Sequence, residues 1–202
     1  MTRVIGGTAG GRRLSVPPGR TTRPTSDRAR EGLFSAIGSM LGPDGLSGRG
    51  VLDLYAGSGA VGLEALSRGA EHVLLVELDR RAADAIRANV TALGLPGAQV
   101  VRDDVARMAA SPNPQAPYDV AFLDPPYTLE ADALRAVLGA LAAHGWLAAD
   151  AVVVVERSSR DEPWSWPEDP WLFAASRDRR YGEGTLWYGR AAWSGTDRAD
   201  PE

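Results

Sequence analysis

From Gly50 onward, short apolar segments alternate with amphipathic helical segments, and this alternation constrains the fold more than any other feature of the chain. Repeated strand–helix–strand units predict an α/β fold with a doubly wound, mostly parallel sheet. The segments around Gly182-Glu183-Gly184 predict an antiparallel hairpin at its end. The predicted strands are residues 51–54, 72–78, 99–101, 119–123 and 151–155, with hairpin strands at 173–176 and 185–188. In such a sheet, ligands bind beyond the carboxyl ends of the strands.

Helix-capping residues mark the beginnings of the helices between these strands. Thr25 or Ser26 is expected to cap a helix that ends before the turn 42–45. Asp79 is expected to cap the helix that follows the second strand and ends at Gly94.

The composition is that of an ordinary globular protein, with 202 residues, 44% of them hydrophobic and 24% charged. The sequence contains no cysteine and only two histidines, which excludes disulfides and thiolate metal sites and argues against any metal centre. It has no apolar stretch near the ~20 residues that span a bilayer and no apolar signal at its N-terminus. We expect a cytoplasmic monomer without metal or membrane partners.

Positive charge is concentrated in the first 31 residues. They hold seven arginines and two carboxylates, a net charge of +5, whereas the remaining 15 arginines and 24 carboxylates give −9. The chain contains no lysine, so every cationic side chain apart from histidine is a guanidinium able to bind phosphate bidentately. This pattern favours a nucleic-acid-binding arm over a merely solvated tail. The predicted organisation is a basic arm or hairpin over 1–24, a main domain over 25–193 and a disordered tail over 194–202.

A glycine-rich turn, Gly57-Ser58-Gly59 with Gly62, follows the first strand and matches the G-x-G-x-x-G pattern. The pattern alone also fits a nicotinamide cofactor. Asp53, inside the preceding strand, favours S-adenosylmethionine instead, because its carboxylate would repel a pyrophosphate but attract an ammonium and a sulfonium.

Further acids follow the second and third strands. Glu77 is placed to accept hydrogen bonds from ribose hydroxyls, and Asp104 to face the adenine amine, although the neighbouring Asp103 could do this instead. Each acid also has a structural alternative: Asp53 could hold a loop backbone, Glu77 could assist a helix cap, and Asp104 could cap a short helix. The predicted cofactor-binding residues are Asp53, Tyr55, Gly57, Ser58, Gly59, Glu77, Asp104 and Val105.

The tetrapeptide Asp124-Pro125-Pro126-Tyr127 ends the fourth strand, because two prolines fix the backbone and remove its N–H donors. It sets a hydrogen-bond acceptor beside a flat ring, which suits a nucleobase with an exocyclic amine. The alternative is a simple turn in which Tyr127 covers the core. The cofactor acids favour the first interpretation and indicate methyl transfer to an amine.

The sequence resembles the family of bacterial methyltransferases that modify the N2 amine of one guanine in small-subunit (16S) ribosomal RNA. The resemblance runs from Arg3 to about Tyr188 and is carried by three stretches: 3–7 with 11–14, 22–31, and 52–59 with 62–69. It implies a Rossmann-like class I methyltransferase fold, S-adenosylmethionine as methyl donor, and 16S ribosomal RNA in an assembling small subunit as substrate. A DNA amino-methyltransferase would share the tetrapeptide chemistry.

We therefore predict that Asp124, Pro125 and Tyr127 are catalytic, with the first two accepting hydrogen bonds from the amine and Tyr127 stacking on the base. The predicted RNA-binding residues are Arg12, Arg13, Arg23 and Arg28. An exposed helix face on which Arg28 and Arg30 pair with neighbouring acids is the alternative for that segment. Three tryptophans, Trp164, Trp166 and Trp171, are expected to seal an edge of the core rather than to stack on RNA.

Overall fold

The computed structural model describes residues 2–16, 26–167 and 172–192. Its strands are β1 (Gly50–Leu54), β2 (His72–Val76), β3 (Ala98–Val101), β4 (Tyr118–Leu123), β5 (Leu147–Ser158), β6 (Leu172–Tyr181) and β7 (Gly184–Ala192). The helices in the described residues are α1 (Asp27–Leu41), α2 (Ala60–Ser67), α3 (Arg80–Leu93), α4 (Val105–Ala109) and α5 (Ala131–Ala143).

All the strands belong to one seven-stranded sheet with the order β3-β2-β1-β4-β5-β7-β6. The first five pair in parallel, whereas β7 runs antiparallel to both β5 and β6. This confirms the predicted mostly parallel sheet that ends in an antiparallel hairpin. The insertion of β7 between β5 and β6 differs from the 3-2-1-4-5-6 order of dinucleotide-binding sheets.

Both faces of the sheet are covered, because alternate residues of each central strand point to opposite sides. Val152 and Val154 join a core cluster with apolar residues of the N-terminal segment, α1, α2 and α3. Val153 and Val155 join a second cluster with α4 and α5. We call these two sides the α1 face and the α5 face.

Some strand ends differ from the sequence-based prediction. β5 begins at Leu147 rather than at residue 151, and β2 ends at Val76 rather than at residue 78. In β5 the apolar pattern is interrupted by Asp150, which has a positive φ of 64°, so its first part could not be recognised from periodicity. Both predicted helix caps are observed: Ser26 accepts the backbone N–H of Ala29, and Asp79 accepts that of Ala82.

Residues 2–16 form a hairpin-like segment, which we call the arm, closed by an antiparallel bridge between Arg3 and Arg13. Val4 and Leu14 of the arm enter the core cluster of the α1 face. Glu64, fully buried in α2, accepts the backbone N–H groups of Ile5 and Gly6 at 2.7 and 2.9 Å. The arm is thus packed onto the sheet domain. The predicted boundary at residue 24 and the tail 194–202 lie outside the described residues.

The exposed helix face expected as the alternative is observed for Arg28 but not for Arg30, which pairs with Asp27 as expected and yet is buried. Arg28 is exposed, whereas Arg30 is only 1% exposed. Its guanidinium donates to the backbone carbonyl of Arg3 at 2.6 Å and to the carboxylate of Asp27 at 3.0 Å. Burial lowers the pKa of Arg30. The side chain therefore joins α1 to the arm, which could not be read from helical spacing alone.

The tryptophans after β5 contribute to the core. Trp164 and Trp166 are buried, and Trp166 stacks on Phe173 with 5.8 Å between ring centroids. The prediction for these two residues is confirmed, whereas Trp171 lies outside the described residues. In the part of the chain that the structure describes, no helix is long and apolar enough to cross a membrane, and no cluster of potential metal ligands occurs.

Candidate active site

The glycine turn and the Asp-Pro-Pro-Tyr tetrapeptide lie side by side in the structure. β1 has β2 on one side and β4 on the other, so the strand order reverses at this point. Leu54 of β1 pairs with Leu123 of β4, and the backbone N–H of Asp124 points to the carbonyl of Leu54 at 3.4 Å. The two loops therefore leave neighbouring strands at the same height. Crevices of this kind are the usual ligand sites of α/β sheets.

The glycine turn is tightly packed against the structure behind it. Gly59 caps α2 in the left-handed conformation with φ 75°, where a side chain would also lie 3.1 Å from Leu75 and Ile86. A side chain at Gly62 would lie 2.8 Å from Leu75. Glycine at both positions keeps the turn and the start of α2 close to β1 and β2.

Asp53 supports this turn from beneath. It is only 2% exposed, and its carboxylate accepts the backbone N–H of Gly62 at 2.8 Å. Burial raises the pKa of Asp53 to about 7, and the nearby charge of Glu77 acts in the same direction. Asp53 thus holds the backbone of the loop, as its structural alternative predicted. A cationic ligand bound at the turn would favour the ionised form of this carboxylate. The position of Asp53 is therefore also compatible with the electrostatic role predicted for it.

Glu77 joins the ends of two loops. Its carboxylate accepts the backbone N–H of Gly57 at 2.8 Å and that of Asp79 at 2.8 Å. The side chain is 4% exposed. The next residue, Leu78, is an exposed large apolar side chain beside this carboxylate. Leu78 was not predicted as a site residue from the sequence, although an apolar residue beyond the end of a strand is a signal for a ligand-facing wall.

The third group of predicted cofactor residues surrounds the start of α4. Asp104 caps this helix by accepting the backbone N–H of Arg107 at 3.0 Å, as the structural alternative predicted. Asp103 instead forms an ion pair with the Arg107 side chain. Val105 is buried. Tyr55 packs against the core cluster that includes Val105 and Met108 of α4, and burial, with a contribution from the charge of Asp104, raises the pKa of Tyr55 to about 12.

These residues fit S-adenosylmethionine better than a dinucleotide. The turn that would cradle the ligand is backed by two buried carboxylates, which attract a sulfonium and an ammonium and repel phosphates. Each oxygen of Glu77 can accept a second hydrogen bond in addition to the one from the backbone, as binding of ribose hydroxyls requires.

The tetrapeptide forms an exposed corner after β4. Pro125 is buried, and the carbonyl of Pro126 accepts the backbone N–H of Leu129 at 2.9 Å, which closes a tight turn. Tyr127 is 72% exposed within this turn. The alternative in which Tyr127 covers the core is therefore wrong. Its ring is available to a flat partner from solution.

Four further residues line an open, shallow pocket together with Asp124, Pro125 and Tyr127. They are Glu156, Arg157, Ser158 and Gly184. None of them was predicted from the sequence. The signal was present, because Glu156 is the first charged residue after the apolar run 151–155 and so lies at the carboxyl end of a strand.

Among the predicted RNA-binding arginines, Arg12, Arg13 and Arg28 are all exposed. Arg12 reaches the carboxyl end of α3, where its guanidinium donates to the carbonyl of Leu93 at 2.8 Å and to that of Ala92. Arg23 lies outside the described residues. The structure therefore leaves Arg13 and Arg28 directed to solvent and gives Arg12 a contact within the protein.

Comparison with known proteins places the chain in a family. The family model "Conserved hypothetical protein 95" matches residues 2–190. The ribosomal RNA small subunit methyltransferase D of Escherichia coli (strain K12) is 37% identical over 154 residues, covering 76% of this chain and 73% of the relative. The YlbH protein of Bacillus subtilis is 38% identical over 182 residues, covering 89% of this chain and 94% of the relative.

A solved structure of the yhhF protein from Escherichia coli superimposes with a TM-score of 0.79 at 33% identity, over 94% of this chain and 97% of that one. Sequence and fold thus agree along nearly the whole chain. The resemblance predicted from the sequence is confirmed: the chain belongs to the bacterial family that includes the small-subunit ribosomal RNA methyltransferases D.

Proposed function

We propose that this protein transfers a methyl group from S-adenosylmethionine to the exocyclic N2 amine of a guanine in small-subunit (16S) ribosomal RNA. The observation that carries the proposal is the position of Asp124-Pro125-Pro126-Tyr127 beside the glycine turn, where the strand order reverses. An amine held at this corner would lie next to a cofactor held by the turn. The name of the Escherichia coli relative, a ribosomal RNA small subunit methyltransferase, supports RNA as the substrate class.

The methyl donor would be held by the residues around the glycine turn. Asp53 and Glu77 would offer carboxylates to its positive end and its ribose, and Leu78 an apolar wall. The acid that faces the adenine amine is Asp104 or Asp103; both already have contacts within the protein. When bound, S-adenosylmethionine supplies an electrophilic methyl group that the amine takes up as S-adenosylhomocysteine leaves.

Asp124 would activate the amine, whose lone pair is otherwise delocalised into the base. The carboxylate of Asp124 and the backbone carbonyl of Pro125 are the acceptors proposed for its two N–H groups. This arrangement would make the lone pair available and stabilise the positive charge that develops on nitrogen. The proton released from the amine passes to Asp124 or to water.

Tyr127 would hold the base in place. Its exposed ring offers a stacking surface to a base that has swung out of its helix, which is how enzymes reach an atom inside paired RNA. The arm, with Arg13 exposed, and the exposed Arg28 at the start of α1 would bind phosphates of the RNA around the target. We propose an assembling small subunit as the substrate and a monomer as the active form.

The test is transfer of labelled methyl groups to three substrates: small subunits lacking the modification, free 16S RNA and duplex DNA. We expect transfer to a guanine of the subunits. Transfer to DNA alone would identify an amino-methyltransferase of DNA, and binding of a nicotinamide cofactor instead of S-adenosylmethionine would contradict the proposal altogether.

Asp124→Asn is expected to reduce transfer by a factor on the order of 10² or more, the usual effect of removing a transition-state contact. Because Asp124 is assigned to the amine, the dissociation constant of S-adenosylmethionine should change little. Asp132→Asn, a carboxylate change at the exposed start of α5, is the matched control. Retention of full activity by Asp124→Asn would exclude the assigned role.

A further inference from the structure

Glu156 lies next to Asp124 at the carboxyl end of the sheet. In the parallel pair formed by β4 and β5, Leu123 is the partner of Val155. Asp124 and Glu156 are the next residues along each chain, and neighbouring strands are about 4.8 Å apart. Both side chains line the same open pocket, together with Pro125 and Tyr127. The site therefore contains two carboxylates, of which the proposed chemistry uses one.

The direction of the Glu156 side chain follows from the alternation of β5. Val152 and Val154 point to the α1 face, and Glu156 continues this series. On the neighbouring strand β7, Gly184 faces the carboxylate. A side chain at Gly184 would place its Cβ only 2.8 Å from an oxygen of Glu156. Glycine at this position thus leaves the space that the carboxylate occupies.

The loop that carries Tyr127 is tied to the same strand end. Arg157 is only 11% exposed; it donates to the carbonyl of Leu129 at 2.9 Å and forms an ion pair with Asp161 at 3.1 Å. One end of the tetrapeptide turn is therefore attached to the residue that follows Glu156. This contact holds the loop that carries Tyr127 at the end of the strand that carries Glu156.

The edge of a base next to its amine distinguishes guanine from the other bases. In guanine the ring nitrogen N1, adjacent to the N2 amine, carries a hydrogen. In adenine and cytosine the corresponding ring nitrogens, N1 and N3, carry a lone pair instead. A carboxylate accepts a hydrogen bond from the first and repels the other two. Enzymes that work on a swung-out base read this edge by hydrogen bonds.

We propose that Glu156 accepts the N1–H of the target guanine and so selects guanine over the other bases that have an exocyclic amine. This inference rests on the function proposed above and assigns to Glu156 a role in specificity, distinct from the activation of the amine by Asp124. Asp-Pro-Pro-Tyr alone suits any base that has an exocyclic amine. A second carboxylate beside it suits guanine, in which the N2 amine and the neighbouring N1–H are both donors.

The test replaces the target guanine by 2-aminopurine, which keeps the amine at C2 but has no hydrogen at N1. The methylated guanine is first mapped in small subunits with the wild-type enzyme, and subunits are then reconstituted with 2-aminopurine at that position. Failure to methylate any guanine would refute the proposed function itself. Methylation of a guanine allows the role of Glu156 to be judged separately.

The wild type is expected to favour guanine over 2-aminopurine by a factor on the order of 10² or more in kcat/KM, because an acceptor that the bound base covers without donating to it is costly. Glu156→Gln is expected to lower this preference at least about tenfold and to raise transfer to 2-aminopurine above the wild-type rate. The reason is that the amide can donate to the unprotonated N1. Damage to the fold would not produce such a gain.

Two further variants complete the test. Glu183→Gln, which changes a carboxylate paired with the exposed Arg160 outside the pocket, should keep the wild-type preference. Gly184→Ala removes neither carboxylate, but its methyl group displaces that of Glu156. We expect it to reduce the preference for guanine over 2-aminopurine with little change in S-adenosylmethionine affinity. Gly184→Ala decides the question if Glu156→Gln does not fold.

Three outcomes would overturn the role of Glu156. One is a wild-type enzyme that methylates 2-aminopurine as well as guanine. Another is a preference for guanine over 2-aminopurine that is unchanged in Glu156→Gln, or unchanged in Gly184→Ala if Glu156→Gln does not fold. The third is loss of transfer to both bases in Glu156→Gln with cofactor affinity intact, because a residue that reads only N1 would leave transfer to 2-aminopurine at least at the wild-type level.

Discussion

At the scale of single residues, Asp53 shows how one side chain can serve both the fold and the candidate site. It is buried beneath the glycine turn and holds the start of α2 through the N–H of Gly62. The same burial raises its pKa from 3.8 to about 7. Without a bound cation, its ionisation is therefore unfavourable in the folded protein. This has a measurable effect on stability.

Asp53→Asn keeps an acceptor for the Gly62 N–H but cannot ionise. Because the folded pKa lies above the unfolded one, the wild type loses stability relative to the variant as the pH rises from about 4 to 7. The difference then stays constant at higher pH. Three units of pKa correspond to at most ~4 kcal/mol. Urea unfolding of both proteins between pH 4 and pH 8, without cofactor, measures it; a difference independent of pH would contradict the assigned ionisation.

Residue roles could be predicted from the sequence where a motif and a strand end coincide. Asp124 and Tyr127 were predicted in this way; their catalytic roles stay predictions, and the exposure of Tyr127 is compatible with the role assigned to it. Glu156 also lies at a strand end, but its position beside Asp124 and opposite Gly184 depends on which strands are neighbours in the sheet. Local spacing carries no information about which glycine will lie opposite a carboxylate.

At the scale of elements, the arm is linked to α3 as well as to α1 and α2. Arg12 donates to carbonyls at the end of α3, where a helix has unpaired carbonyl groups and a partial negative charge. Arg13, the next residue, is exposed. Two adjacent arginines predicted to bind RNA therefore differ in their contacts within the protein. Substituting Arg12 and Arg13 one at a time therefore distinguishes an effect on stability from an effect on RNA binding.

Arg12→Ala is expected to destabilise the protein by about 1 kcal/mol, because it removes charged donors from the helix end. Arg13→Ala should leave the melting temperature unchanged but weaken RNA binding and lower the slope of log K against log salt by about one. Thermal unfolding and binding titrations at several salt concentrations measure the two effects. An unchanged salt slope in Arg13→Ala would exclude it as a phosphate contact.

The sequence predicted which helices and strands exist more reliably than it predicted where they begin and end. The helix caps Ser26 and Asp79 act within three residues along the chain, so the sequence was sufficient to place them. The first part of β5 was missed because Asp150 breaks its pattern, and only pairing with β4 makes this segment a strand. Pairing is a tertiary contact and leaves no local signal.

At the scale of the whole molecule, the arm is part of the main core. Val4, Ala9 and Leu14 belong to the same cluster as the strands and helices of the α1 face. Its backbone is also held by buried side chains of α2, with Glu64 accepting from Ile5 and Gly6, and Ser67 from Ala9. The arm, which carries Arg3, Arg12 and Arg13, is thus integrated into the fold.

Deletion of residues 1–15 is therefore expected to impair folding as well as RNA binding. Full burial of each large apolar side chain contributes ~1.5–3 kcal/mol, so the loss of Val4 and Leu14 removes several kcal/mol from a typical total of ~5–15. Chemical unfolding and S-adenosylmethionine binding of the shortened chain measure this. Removal of 194–202, predicted to be a disordered tail, is the control. A shortened chain as stable as the full one would show that the arm is an independent appendage.

The sequence by itself determined the class of fold, the kind of reaction and the family. Apolar periodicity, glycines at a strand–helix turn and a proline corner act over a few residues, and the family motifs can be compared position by position. The tertiary structure alone decided which groups meet. It placed Glu156 beside Asp124, buried Arg30, gave Arg12 a contact with the end of α3, and joined the arm to the core. These arrangements depend on strand order and on packing between distant segments, which no local pattern encodes.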